Sequence, residues 1–179
     1  GVGRVDASLA GRRSGRFALD LNAAIRPERI AVAAQGQFAG RRISMPRRAV
    51  LTSLDNGGWN LAPTQVSYGD GGMIAAGNFG GGDLDFDFKL AHMPLSLIDV
   101  VRPDTGLGGT ISGTVHYRTG ANKVPVSEAK VKIDDLTRSG LVLTSRPVDV
   151  ALVATLTETE LEAHALLQNE EIQRGRVQA

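Results

Sequence analysis

The dominant signal along the chain is a period of two. In Leu84-Asp85-Phe86-Asp87-Phe88-Lys89-Leu90 every second residue is apolar and every residue between is charged. A helix would scatter these side chains round its circumference, whereas a strand sorts them onto two faces. The alternation recurs at Phe17, Leu19 and Leu21, at Ile111, Gly113, Val115 and Tyr117, and at Ala129, Val131 and Ile133. It continues through Val148, Val150, Leu152, Ala154 and Leu156, and through Leu161, Ala163 and Ala165. About a dozen strands of ordinary length are expected, each with one apolar and one wet face.

Turn chemistry fills the gaps: Asp55-Asn56-Gly57-Gly58, Gly69-Asp70-Gly71-Gly72, Gly80-Gly81-Gly82-Asp83, Gly120-Ala121-Asn122 and Arg138-Ser139-Gly140. Connections this short join antiparallel neighbours, because parallel pairing needs long crossovers. The topology is therefore expected to be mainly a meander. One segment breaks the pattern. Met93-Pro94-Leu95-Ser96-Leu97-Ile98-Asp99-Val100-Val101 carries a proline near its first turn, apolar residues three apart, and Pro103 as a stop. This predicts one short helix near 94–101, packed on the sheet end. Residues 157–173 have helix-forming glutamates and leucines, but the strict alternation at Leu161, Ala163 and Ala165 makes this run a strand.

Composition alters the picture of the core. Apolar residues make up 42% of the chain and aromatic ones only 4%, so buried surface must come from small aliphatic side chains and the core must be shallow or elongated. The chain of 179 residues reads as a single β-rich module over 1–179, with any sub-boundary near 92–108. From its Gly1-Val2-Gly3 start and its close on Arg176-Val177-Gln178-Ala179 beside an apparent strand, it is expected to be a fragment of a longer protein. Cysteine is absent, which excludes disulfides and thiolate metal sites. No run of ~18 apolar residues occurs, so any anchor or export signal is expected outside this segment.

Ten arginines in the first sixty residues face only Asp6, Asp20, Glu28 and Asp55, while the remainder is net acidic. The stretch Arg41-Arg42-Ile43-Ser44-Met45-Pro46-Arg47-Arg48 has the charge to meet phosphates. A solvated strand edge explains it more simply, and without an aromatic stacking set no nucleic-acid partner is expected.

Candidate chemistry is thin. His92, His116 and His164 stand far apart without ligand-like spacing. Asp83, Asp85 and Asp87 lack the glycines and distal acid of calcium loops. Gly106-Leu107-Gly108-Gly109 precedes a strand where a phosphate loop needs a helix. Neither Ser14 nor Ser112 sits in a nucleophile elbow, and Glu158, Glu160 and Glu162 share one strand face with no partner across a cleft. Trp59 and Tyr117 read as packing residues. No catalytic, cofactor-binding or metal-binding residue is expected, and the chain is expected not to be an enzyme.

A family resemblance rests on Pro94-Leu95-Ser96-Leu97-Ile98, Pro103, Gly106-Leu107-Gly108-Gly109-Thr110-Ile111-Ser112-Gly113-Thr114-Val115, Val124-Pro125, Ile133-Asp134-Asp135-Leu136 and Gly140. With the preceding Gly77-Asn78-Phe79-Gly80 and the 84–90 strand, this resembles the C-terminal region of TamB-type translocation and assembly module proteins, of the AsmA-like bridge group. The resemblance covers roughly residues 73 to 168, and its shared features are turns and alternation, not a chemical motif. It implies an elongated antiparallel β-meander curled into an open, β-taco-like gutter with an apolar interior. It further implies a periplasmic place within an inner-membrane-anchored Gram-negative envelope protein, an outer-membrane barrel partner of the TamA type, and a role in phospholipid passage or outer-membrane protein assembly. Membrane contact would then lie in regions outside this segment. The expected groove lining is Phe17, Leu19, Leu84, Phe86, Phe88, Leu90, Ile111, Val115, Val131, Ile133, Val150 and Leu152, holding phospholipid acyl chains. The alternatives are a scaffold that pairs client outer-membrane strands at its sheet edges, or a closed β-sandwich of the adhesin or passenger kind.

Overall fold

The computed structural model describes residues 2–13, 15–101, 105–119, 124–139, 146–157, 159–169 and 172–178. Pro103, Ser14, Glu158, Gly140 and the turn at 120–122, all used above, lie outside the described residues. The protein is all-β and antiparallel, as the alternation requires, and its chain divides into two compact units, Gly1–Phe88 and Lys89–Ala179.

The first unit contains β1 (Gly3–Arg13), β2 (Gly15–Arg26), β3 (Arg29–Phe38), β4 (Arg41–Ser44), β5 (Ala49–Ser53), β6 (Gly58–Tyr68), β7 (Gly71–Gly80) and residues 83–88 of β8 (Asp83–Pro94). Strand order follows the sequence except at β4 and β5. Both pair with β3, β4 against residues 35–38 and β5 against residues 29–32, and both pair with β6. They form one interrupted strand, in which residues 45–48 stand opposite only Ala33 and Ala34. Pro46, with no N–H to give a ladder, falls in that break. Across from it β6 carries its own irregularity, a register shift between Leu61 and Thr64 around Pro63, where the Thr64 hydroxyl donates to the Ala62 carbonyl at 2.8 Å.

The second unit contains residues 89–94 of β8, β9 (Leu107–Thr119), β10 (Pro125–Arg138), β11 (Val148–Leu156), β12 (Leu161–Asn169) and β13 (Ile172–Gln178), with β9 to β13 paired in sequence order. The ambiguous run after residue 157 is a strand over β12. The expected helical segment is present as a 3-10 turn, Leu95–Leu97, leading into one α-helical turn, α1 (Ile98–Val101). The 3-10 turn packs against β9 and buries Leu95, beside buried Met93. Asp99 Oδ1 accepts from both the backbone N–H of Thr105, at 2.9 Å, and its hydroxyl, which closes the segment over. A bulge interrupts β10 between Ile133 and Leu136, with Asp135 left-handed at φ 55°; the Asp149 carboxylate accepts the Asp135 N–H at 3.0 Å and holds it there.

One glycine in each unit is fixed by close approach. Gly77 sits in β7 at φ 155°, and a Cβ there would lie 2.1 Å from the Asp85 carbonyl oxygen and 2.8 Å from Phe86 Cα. Gly113 sits in β9 at φ 140°, where a Cβ would come within 2.2 Å of the Lys130 carbonyl oxygen and 2.7 Å of Val131 Cα. Only glycine permits this backbone and this contact.

Candidate apolar binding face

Residues directly opposite on paired strands share a face, so the registers assemble the faces without further assumption. In the first unit Leu9 lies beside Leu19, Ala7 beside Leu21 and Val5 beside Ala23; β3 adds Phe38 beside Phe17, Ala34 beside Leu21 and Val32 beside Ala23. The same face continues through Ile30, Leu51 and Leu61, then Val66 and Met73, then Trp59 and Phe79. The Phe79 ring stacks on Phe86 at 6.0 Å between centroids, and Phe86 on Phe88 at 5.7 Å. Phe17, Leu19, Phe86 and Phe88 are thus on one apolar face, with Leu84 joining them by the period of β8, and all five are half-buried.

The second unit repeats the arrangement with aliphatic residues. Ile111, Ile133, Val150 and Leu167 form one cross-strand row; Val131, Leu152 and Ala165 form the next; Val115, Ala129, Ala154 and Ala163 the one after. Ile111, Val115, Val131, Ile133, Val150 and Leu152 therefore come together on three adjacent strands. Leu90 continues the β8 alternation and is half-buried.

Few side chains on these faces are fully buried. Among the described residues the buried hydrophobic side chains are Tyr68 and Ala75 in the first unit and Met93, Leu95, Val131 and Val150 in the second, and none is less than 2% exposed. Val5 and Leu9 are each 50% exposed and Leu161 66%. The accessible surface is 12425 Å², whereas two compact folded units of this total mass would together expose roughly 10,000 Å².

The opposite face of the first unit is polar and internally hydrogen-bonded. Ser8 donates to Asp20 Oδ1 at 2.7 Å, the Asn22 amide donates to Asp6, and Asn60 donates to Asn78 Oδ1 at 2.7 Å. A cleft of about 630 Å³ opens there, lined by Asp6, Ser8, Asp20, Asn22 and Gln35 with Met45 among its walls. The break between β4 and β5 therefore opens on the polar side. The wet face of the second unit is less strictly polar, since Ala151 pairs with Leu166 and Val153 with His164.

The candidate chemical groups do not converge. His92, at φ 48°, donates its backbone N–H to the Ser112 hydroxyl at 2.9 Å, so that serine supports a turn of the backbone. His164 Nε2 lies 2.9 Å from Glu162 on an exposed strand surface. No group of three or more His, Cys, Asp or Glu is placed to hold a metal among the described residues, and no helix among them is long and apolar enough to cross a membrane.

Three aromatic residues were not among the expected groove lining: Phe38, Tyr68 and Phe79. Tyr68 is buried, its ring 6.3 Å from that of Phe38, and its hydroxyl donates to the Phe38 carbonyl at 3.2 Å. Burial raises its pKa, partly opposed by the nearby Arg41 charge. A signal for the phenylalanines was present in Ala34-Gln35-Gly36-Gln37-Phe38 and Ala75-Ala76-Gly77-Asn78-Phe79, where the ring follows a mid-strand glycine by two and so shares its face. Trp59, read as a packing residue, is half-buried on the apolar face opposite Phe79. No protein-family model matches the chain, and no curated protein and no solved structure is significantly similar to it.

Proposed function

We propose that this chain is a non-enzymatic lipid-carrying segment, one stretch of a TamB-type bridge in a Gram-negative envelope. Its apolar faces line a gutter along which phospholipid acyl chains pass between the inner and outer membranes, in the periplasm, towards a barrel partner of the TamA type. The carrying observation is the cross-strand apolar face in each unit, few of whose described side chains are fully buried. An acyl chain gains about 0.8 kcal/mol for each methylene it buries, so it needs no polar anchor to stay, and binding is generic in chain identity. A sealed sandwich is the poorer account, because facing sheets bury the side chains between them.

The test is site-specific photocrosslinking from Phe88 and Leu152, two half-buried face residues, with labelled phospholipid as the readout. Lipid adducts are expected at both positions, and not at the polar-face residues Asn78 and Lys130. Equal labelling of the two faces sinks the proposal. Pairing of client strands remains the second reading, favoured by β1, an eleven-residue strand whose register is with β2 alone among the described pairs. Backbone crosslinks from β1 to a client protein, without lipid on the faces, would select it.

A further inference from the structure

The β5–β6 connection carries a reactive step. It is a short loop, Asp55-Asn56-Gly57, closed by Leu54 and Gly58: the Leu54 N–H donates to the Gly58 carbonyl at 2.8 Å and the Gly57 N–H to the Leu54 carbonyl at 3.0 Å. Gly57 is left-handed at φ 79°, as a type I turn followed by a bulge requires. Asn56 and Gly57 are both exposed, and nothing lies within 4 Å of the position a Gly57 Cβ would take. The Asn56 side chain folds over the loop, its Oδ1 accepting the Gly58 N–H at 3.0 Å. The β7–β8 turn packs on the same residue, since a Cβ on Gly81 would lie 2.7 Å from the Asn56 carbonyl oxygen and 2.9 Å from its Cγ. Asn56 is the single asparagine of the chain that precedes a glycine. The others precede Ala23, Leu61, Phe79, Lys123 and Glu170, whose side chains crowd their own backbone nitrogens.

We infer that Asn56 is a site of spontaneous deamidation, at which the first unit modifies its own backbone. The Gly57 nitrogen gives its proton to solvent base and attacks Asn56 Cγ. The new N–Cγ bond forms as the bond from Cγ to the side-chain nitrogen breaks, and that nitrogen, taking a proton from water, leaves as ammonia. Water then opens the cyclic imide at either carbonyl, giving aspartate, or isoaspartate with the main chain rerouted through Cβ and Cγ. The Gly58 N–H already stands on Oδ1, the oxygen on which negative charge develops during the attack. Against this, the Gly57 N–H is held by the Leu54 carbonyl, so the nitrogen is released only when the loop opens, and local opening sets the rate. Aspartate leaves the loop closed, because a carboxylate oxygen still accepts from Gly58. Isoaspartate adds a carbon to the main chain inside a loop that the Leu54–Gly58 closure and the Gly81 contact hold tightly, and loosens it. The reaction uses no residue of the apolar faces, so the inference stands independently of the lipid-carrying reading.

The test holds the intact chain in warm, mildly alkaline buffer and maps it over time by peptide mass spectrometry, with fragmentation that separates aspartate from isoaspartate. The expected result is the mass gain of a single amide-to-acid conversion on the peptide containing Asn56, with isoaspartate among the products. Asn22, Asn60 and Asn78, each within a strand, should stay amides over the same period. Denaturant, which frees the Gly57 nitrogen, should speed the conversion. Asn56→Gln, whose longer side chain disfavours cyclisation, should abolish the gain. Fresh Asn56→Asp should keep the loop closed, and hydrogen exchange at the Leu54 and Gly57 amides should be faster in the aged parent chain than in this variant, because the loosening comes from isoaspartate and not from the added charge. Conversion at Asn22, Asn60 or Asn78 ahead of Asn56 overturns the inference, as does an Asn56 that stays an amide in the folded chain while the same peptide converts in denaturant. Equal rates in buffer and in denaturant overturn the gating by Leu54, and equal exchange in the aged chain and Asn56→Asp overturns the loosening.

Discussion

The two units solve one problem with different side chains. Each carries a wide apolar face whose described side chains are mostly half-buried. The first builds it with aromatic rings, Phe38 against Tyr68 and Phe79 stacked on Phe86, which stacks in turn on Phe88. The second uses branched aliphatics packed in cross-strand rows, with Val131 and Val150 buried, and the 3-10 turn burying Leu95 against β9. Rings give a face of fixed shape with polar tips at its margins, whereas aliphatic rows give a more uniform surface. The same two-faced strand pattern thus carries two local chemistries, aromatic in the first unit and aliphatic in the second.

The harshest way to separate the units is to fill their glycine contacts. Gly77→Val and Gly113→Val each force a side chain into a neighbouring carbonyl and should cost about 3–5 kcal/mol. Hydrogen exchange should show protection lost only in the unit that carries the change; loss in both would break the division into two. Next in size, Val150→Asp places a carboxylate at an 8% exposed position and should cost about 3 kcal/mol by denaturant titration. Truncating the ring that bridges two stacks, Phe86→Ala, should cost about 2 kcal/mol and leave exchange in the second unit as it was. Asp149→Ala removes the acceptor that holds the Asp135 bulge and should destabilise the second unit by about 1 kcal/mol.

The smallest effect is a pH dependence confined to the first unit. Burial raises the Tyr68 pKa in the folded state, so the folded chain holds this proton more tightly than the unfolded one. Its contribution is complete below the unfolded value near 10 and is lost as pH rises through the higher folded value. Stability of the first unit should fall over that alkaline range, and Tyr68→Phe should flatten the dependence.

Much of the binding face was legible in the residues themselves. Period-two alternation at Phe17 and Leu19, at 84–90, and at Ile111, Val131 and Val150 named side chains that the registers place on apolar faces. Their distribution over two units was not legible, because alternation is a local property and says nothing about which strands pair. Tyr68 escaped for a similar reason. It stands beside a glycine turn, and its ring and hydroxyl both meet Phe38 of β3, thirty residues away in sequence, which accepts its hydrogen bond.

By itself the sequence determined the strands, their two-faced character, the helical segment at 94–101 and the positions of most turns, because each depends on residues within a few places of one another. Tertiary structure decided where the strands break and whether the apolar face is covered. The interruption between β4 and β5 exists because β3 and β6 pair with both ends of it and leave the middle unpaired. How deeply the face residues are buried is likewise a tertiary outcome, from 8% exposure at Val131 and Val150 to 50% at Val5 and Leu9, because burial is a sum of long-range contacts that no local pattern encodes.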